Sequence, residues 1–172
     1  MSAAAASPWV RRFASLIAEG GPVLDLACGG GRHTRLLREL GHAVTAVDRD
    51  ISGVSNLDGV DAIAADLEDG SPWPLAGRQF AGVIVTNYLH RPLFPALIAA
   101  VEPDGVLIYE TFMAGNERFG KPSNPDFLLR ENELLDAVAP DLTVIAFEQG
   151  LDSAGPAMRQ RICAIRGAPV LV

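Results

Sequence analysis

The run Val23-Leu24-Asp25-Leu26-Ala27-Cys28-Gly29-Gly30-Gly31-Arg32-His33-Thr34 constrains the fold more than any other stretch of the chain. A short, mostly apolar segment reads as a buried strand, and three consecutive glycines then mark a turn that opens a helix. Glycine tolerates positive φ and the close approach of a ligand, and the unpaired N–H groups of the following helix give that end a partial positive charge. Strand, glycine turn and helix in this order predict a nucleotide-like ligand. A second apolar segment, residues 43–47, runs into Asp48, and an acid closing the second strand is where such folds hold a ribose diol.

Two details separate this turn from the dinucleotide fingerprint G-x-G-x-x-G. The third glycine of that pattern allows tight packing of helix on strand, and counted from Gly29 its place is taken by Thr34. Asp25, inside the strand, has no role in the pattern at all. With Asp25 four residues before Gly29 and six before Gly31, the segment resembles motif I of the class I S-adenosylmethionine-dependent methyltransferases. The resemblance continues through Asp48 after the second strand, Asp66-Leu67 after the third, and the apolar strand Gly82 to Thr86 before Asn87. It spans roughly residues 8–110.

That resemblance implies S-adenosyl-L-methionine as cofactor and assigns expected roles. The backbone of Ala27, Gly29 and Gly31 would pass close to the donor's tail and ribose, with Asp25 orienting either the turn or the donor ammonium. Asp48 would accept from both ribose hydroxyls, Asp66 from the adenine amino group beside the Leu67 backbone, and Asn87 would offer its carbonyl to the ammonium. Arg12, and Arg32 or His33, are candidates for the donor carboxylate. Methyl transfer is a displacement in which alignment supplies much of the rate, and a base is needed only for an acceptor that carries a proton. His90 is the preferred base, with Tyr88 and Glu110 expected beside it on the acceptor side. No metal is implied.

Composition narrows the partners. The 172 residues carry a formal charge of −7, and all but one of the 14 basic residues are arginine, Lys121 being the exception. An acidic chain with scattered arginines does not suit phosphate backbones, which attract clustered cations. The segment Asn87-Tyr88-Leu89-His90 also departs from the Asn/Asp-Pro-Pro-aromatic run of enzymes that methylate amino groups of bases. A small-molecule substrate is expected, with no nucleic acid and no membrane partner, and oligomeric state is unread. Three small groups of arginines, at 11–12, at 32, 35 and 38, and at 159 and 161, could hold an anionic small molecule. Cys28 and Cys163 are too few for a disulfide framework and are expected to be reduced and buried. The alanine-rich start lacks the basic and long apolar regions of a signal peptide, so a cytoplasmic protein is expected.

Along the chain, Ser7-Pro8 predicts the start of a helix over 8–19, and residues 1–7 are expected to fray. Strands are predicted at 23–27, 43–47, 61–64, 80–86, 106–111, 142–147 and 160–165. Helices are predicted at 32–40, briefly at 50–56, at 92–101 and at 131–139. Gly70, Pro72, Pro74 and Gly77 leave a loop over 68–79. Residues 112–125 read as a long mobile loop over the ligand, offering Phe112, Met113 and Phe119 as an apolar wall. The expectation is one α/β domain over 1–172, a doubly wound, mostly parallel seven-stranded sheet with an antiparallel last strand. A dinucleotide-dependent oxidoreductase and a catalytically silent donor-binding regulator are the competing readings.

Overall fold

The computed structural model describes residues 4–172. Among them one sheet of seven strands runs in the order β3-β2-β1-β4-β5-β7-β6. Five strands are parallel: β1 (Val23–Leu26), β2 (Val44–Asp48), β3 (Val60–Ala64), β4 (Phe80–Thr86) and β5 (Val101–Phe112). β7 (Met158–Ile165) inserts between β5 and β6 (Thr143–Leu151) and runs antiparallel to both. The hairpin follows from Gly150 near the end of β6 and from Ser153, Gly155 and Pro156 between the last strands, which favour a reversal over a crossover helix. Strand order reverses between β1 and β4, so their carboxyl ends flank the crevice where open α/β sheets bind ligands.

The pleat sorts side chains onto two cores. Val23 of β1, Val44 of β2 and Ile84 of β4 pack under α1 (Pro8–Phe13) and α2 (Arg32–Glu39), against Val10, Phe13 and Leu37. Leu24, Leu26, Val83 and Val85 face the other way, toward α3 (Phe94–Ala99) and α4 (Glu133–Val138), with Leu97 and Leu134 in contact. Every residue of β4 is buried, as expected of a central parallel strand covered on both faces.

Four elements differ from the sequence expectation. The first helix ends at Phe13 and tightens into a 3-10 turn, Ala14–Leu16, after which Ile17 packs where a Cβ on Gly82 would stand 2.7 Å from its Cδ1. Residues 50–56 make a single turn, in which Asp50 accepts from Ser52 N–H, because Gly53 must lie against Gly30 of the glycine turn. The helix expected to reach residue 101 stops at Ala99, and Val101 already belongs to β5. The turn at 102–105 is an excursion within that strand, between the pairs Phe80 with Val101 and Gly82 with Val106. Of the start expected to fray, residues 1–3 lie outside the described residues, while Ala6 and Ser7 are buried. Ser7 is held because its hydroxyl caps α1 through Trp9 N–H and Val10 N–H and its own N–H donates to His33 Nε2 at 3.0 Å. No described helix is long and apolar enough to cross a membrane.

Candidate functional site

The glycine turn adopts the conformation its residues predict. Gly29 and Gly31 lie at φ 52° and 80°, and Ala27 is also at positive φ, 53°. A Cβ at Gly31 would strike Val54, so both backbone conformation and space demand glycine there. Beneath the turn, Asp25 is buried and its Oδ2 accepts from Thr34 Oγ1 at 2.5 Å. The two departures from the dinucleotide fingerprint are therefore one unit: the residue replacing the third glycine holds the acid inside the strand. Burial pushes the Asp25 carboxyl up to about 6 despite that bond.

The strand ends bring the acids together. Asp48 Oδ2 accepts from Gly29 N–H at 2.9 Å and Oδ1 from Asp50 N–H at 3.2 Å, which fixes the carboxylate beside the turn while leaving lone pairs for a ligand. Asp66 is set by Glu68 N–H in the same way. Ala27, Asp48, Asp66 and Leu67 line one cavity of about 150 Å³, joined there by Arg49, which sequence reasoning did not single out.

A second cavity, about 450 Å³, opens on the other side of the β4 terminus. Asn87, at φ 53°, lies on its wall with Arg12, Arg32 and Glu110. Arg159, Arg161, Glu148 and Asp152 from the last hairpin complete its charged lining, and Trp9 and Pro8 give it an apolar side. Strand register creates this cluster. Glu110 of β5 and Glu148 of β6 both sit opposite Arg161, and Phe112 sits opposite Arg159. Arg161 donates to Glu110 at 3.0 Å and to Asp152 at 2.6 Å. Arg159 lies 4.1 Å from the Phe112 ring centre, and its Nη1 donates to Asn87 Oδ1 at 2.7 Å. The alternation Arg159, Arg161 on one strand face was the available signal; Glu148 and Asp152 left none, because only the register reveals them.

The three residues expected together on the acceptor side are separated. Glu110 lines the larger cavity, but it is buried in an ion pair with Arg161. Tyr88 lines the smaller cavity with the strand-end acids, and burial, reinforced by Glu68 and Asp66, pushes its phenol up to about 12. His90 borders neither cavity; it opens the 3-10 turn Arg91–Leu93 and places Nδ1 3.4 Å from Glu68 Oε1. Arg12 is exposed, 3.6 Å from Glu148 and stacked over Phe13. His33 does not face a ligand: it is buried, with Nε2 accepting from Ser7 and Nδ1 facing Thr86 Oγ1 at 3.3 Å. Burial, with Arg32 and Arg11 nearby, lowers it to about 4.

The 112–125 segment is pinned rather than open. Buried Asn116 donates to Pro122 O and accepts from Met158 N–H, and Met113 pairs with Leu129. Cys28 packs with Ala46 and Val54, and burial first, then Asp25 and Asp48, pushes its thiol up to about 12, which makes it a poor nucleophile at neutral pH.

This sheet order, with its antiparallel β7, is the fold of the class I S-adenosylmethionine-dependent methyltransferases. The family model of the tellurite resistance protein TehB matches residues 10–69. TehB from Haemophilus influenzae superimposes with a TM-score of 0.71 at 19% identity over 96% of this chain, which spans 63% of the length of that protein. A Burkholderia thailandensis 1,6-didemethyltoxoflavin-N1-methyltransferase, crystallised with that substrate and S-adenosylhomocysteine, gives 0.69 at 20% identity over 94% of this chain and 77% of its own. The glycopeptide N-methyltransferase MtfA with S-adenosylhomocysteine gives 0.65 at 19% identity, covering 95% and 90%. Comparison with curated protein sequences gives no match.

Proposed function

We propose that residues 1–172 act as one S-adenosylmethionine-dependent methyltransferase domain on a small molecule. The observation that carries this reading is the convergence of Ala27, Asp48, Asp66 and Leu67, from three successive strand ends, on one cavity beside a positive-φ glycine turn. The donor supplies a methyl group on a sulfonium, already bonded to a good leaving group. Asp48 binds the ribose hydroxyls, its orientation set by Gly29 N–H; Asp66 and the Leu67 backbone meet the adenine edge, and Tyr88 walls that cavity. The donor's amino-acid tail then points past Asn87 toward the larger cavity, with Arg32 near its carboxylate and the buried Asp25 charge favouring its ammonium from beneath the turn. The acceptor occupies the remainder of the larger cavity, where Glu110 is held in its ion pair with Arg161. Sequence acidity argues against nucleic acid as acceptor, and two free, buried cysteines suit a reducing cytoplasm.

Calorimetry with S-adenosylhomocysteine tests the reading. Binding is expected, and at about 100 times the dissociation constant it should stabilise the fold by ~2.7 kcal/mol. Asp48→Ala removes charge-assisted bonds and should weaken binding by roughly 10- to 100-fold. No heat of binding and no thermal shift would overturn the assignment.

A further inference from the structure

The larger cavity has a charge pattern that says something about its acceptor. Four arginines, Arg12, Arg32, Arg159 and Arg161, face three carboxylates, Glu110, Glu148 and Asp152. Arg161 is satisfied by Glu110 and Asp152, and Arg12 faces Glu148. Arg159 has only a share of Asp152, at 3.3 Å from its Nε, and the neutral Asn87 carbonyl on Nη1. Its Nη2 has no acceptor among the described residues. A sulfonium donor adds one net positive charge, since its ammonium and carboxylate cancel. Even with Asp25 set against that ammonium, the surroundings of the acceptor keep a positive surplus, which a neutral or cationic acceptor would leave uncompensated.

Arg159 is also the cation best placed to use this surplus. Phe112 at 4.1 Å and Asp152 hold its guanidinium plane, so little rotamer freedom remains to be lost on binding. It stands beside Asn87, on the route from the donor cavity. The cavity volume, about 450 Å³, lies in the range of organic-ligand pockets and far exceeds the space a bare oxyanion fills, and Ala6, Pro8 and Trp9 line one side.

We infer, on the basis of the donor reading above, that Arg159 recognises the acceptor and that the acceptor is a small organic carboxylate. Its carboxylate pairs with the guanidinium and its body lies against the Trp9 wall. Asn87 Oδ1 connects the two halves of the site: a donor ammonium that takes this carbonyl frees Arg159 Nη1 for the carboxylate, so acceptor binding follows donor binding.

The test uses the full chain saturated with sinefungin, a donor analogue whose amine keeps the positive charge that S-adenosylhomocysteine lacks, with melting temperature followed against acetate, benzoate, 4-hydroxybenzoate and succinate. Benzamide, inorganic phosphate and chloride at matched ionic strength serve as comparison arms. The expected result is a saturable rise with at least one carboxylate, absent with benzamide and smaller with S-adenosylhomocysteine in place of sinefungin or with no donor analogue. Arg159→Gln should raise the half-saturating concentration by about 10-fold or more, with Arg159→Lys between the two. Saturation by phosphate alone would overturn the organic-carboxylate assignment. An equal response in Arg159→Gln, or no saturable response with sinefungin bound, would overturn the inference while leaving the donor reading intact. Failure of S-adenosylhomocysteine to bind would remove both.

Discussion

Replacing Asp25 by asparagine should make the protein more stable at neutral pH and a poorer binder of its donor. The carboxyl is 1% exposed, and burial raises it from 3.8 to about 6 even though Thr34 donates to it. A raised folded value means that the native state prefers the protonated acid. The penalty for holding the charge is absent at low pH and grows as pH climbs from the unfolded value through the folded one. The interval corresponds to ~3 kcal/mol at neutral pH, with roughly half already present near pH 5. Asparagine keeps the shape and the acceptor for Thr34 and removes the charge. Urea unfolding of both proteins at about pH 5 and pH 7.5 should show the variant ahead at both, with the gap widening by ~1 kcal/mol at the higher value. Calorimetry should show weaker S-adenosylhomocysteine binding, because the negative charge proposed to favour the donor ammonium from beneath the turn is gone. An asparagine variant less stable than the parent at pH 7.5, or a gap that narrows with rising pH, would refute the reasoning.

His33 works in the opposite direction: its folded value of about 4 lies below the ordinary 6.5, so its contribution is complete above pH 6.5 and is lost as pH falls toward 4. His33→Gln should therefore flatten the acid limb of the urea-midpoint profile. Gly31→Ala should cost roughly 2–4 kcal/mol in urea unfolding and abolish donor binding, since φ is 80° and the new Cβ meets Val54. Arg91 makes a two-pronged pair with Glu133, at 2.5 and 3.0 Å, and donates to Asp126 O and Leu128 O. Arg91→Ala should lose ~2 kcal/mol by denaturant titration, at the low end for a buried pair because the arginine is a third exposed, and adding Glu133→Leu should recover part of it.

Much of the cavity proposed for the donor was legible because its acids sit at strand ends, and strand ends can be read from hydrophobic runs. Asp48 and Asp66 each close an apolar segment, and both line the smaller cavity. Asp25 and Thr34 were each noticed as departures from a pattern, but their bond spans a turn and a helix and needs the fold to be seen. His90 was misplaced for a local reason: the 3-10 turn beginning at Arg91 swings it toward Glu68, and a sequence marks the turn without giving its direction. The charged cluster of the larger cavity was illegible for a different reason. Glu110, Glu148 and Arg161 meet only through the registers of β5, β7 and β6, and a shift of one residue would turn Arg161 to the opposite face. The 112–125 segment looked loose from its Gly and Asn content, yet one buried asparagine ties it to β7.

The antiparallel insertion of β7 has a consequence for how this protein could be changed. Among the described residues, the hairpin from Thr143 to Ile165 pairs with the rest of the sheet only along β5. It brings Glu148, Asp152, Arg159 and Arg161 to one cavity, whereas the TehB match at residues 10–69 covers the strands around the other. The hairpin is thus an exchangeable cassette. A transplanted β6–β7 ribbon that keeps the β5-facing apolar residues should change the charged lining of the larger cavity while leaving the strand ends around the smaller one as they are, with Asn87 and Tyr88 as the seam between the two.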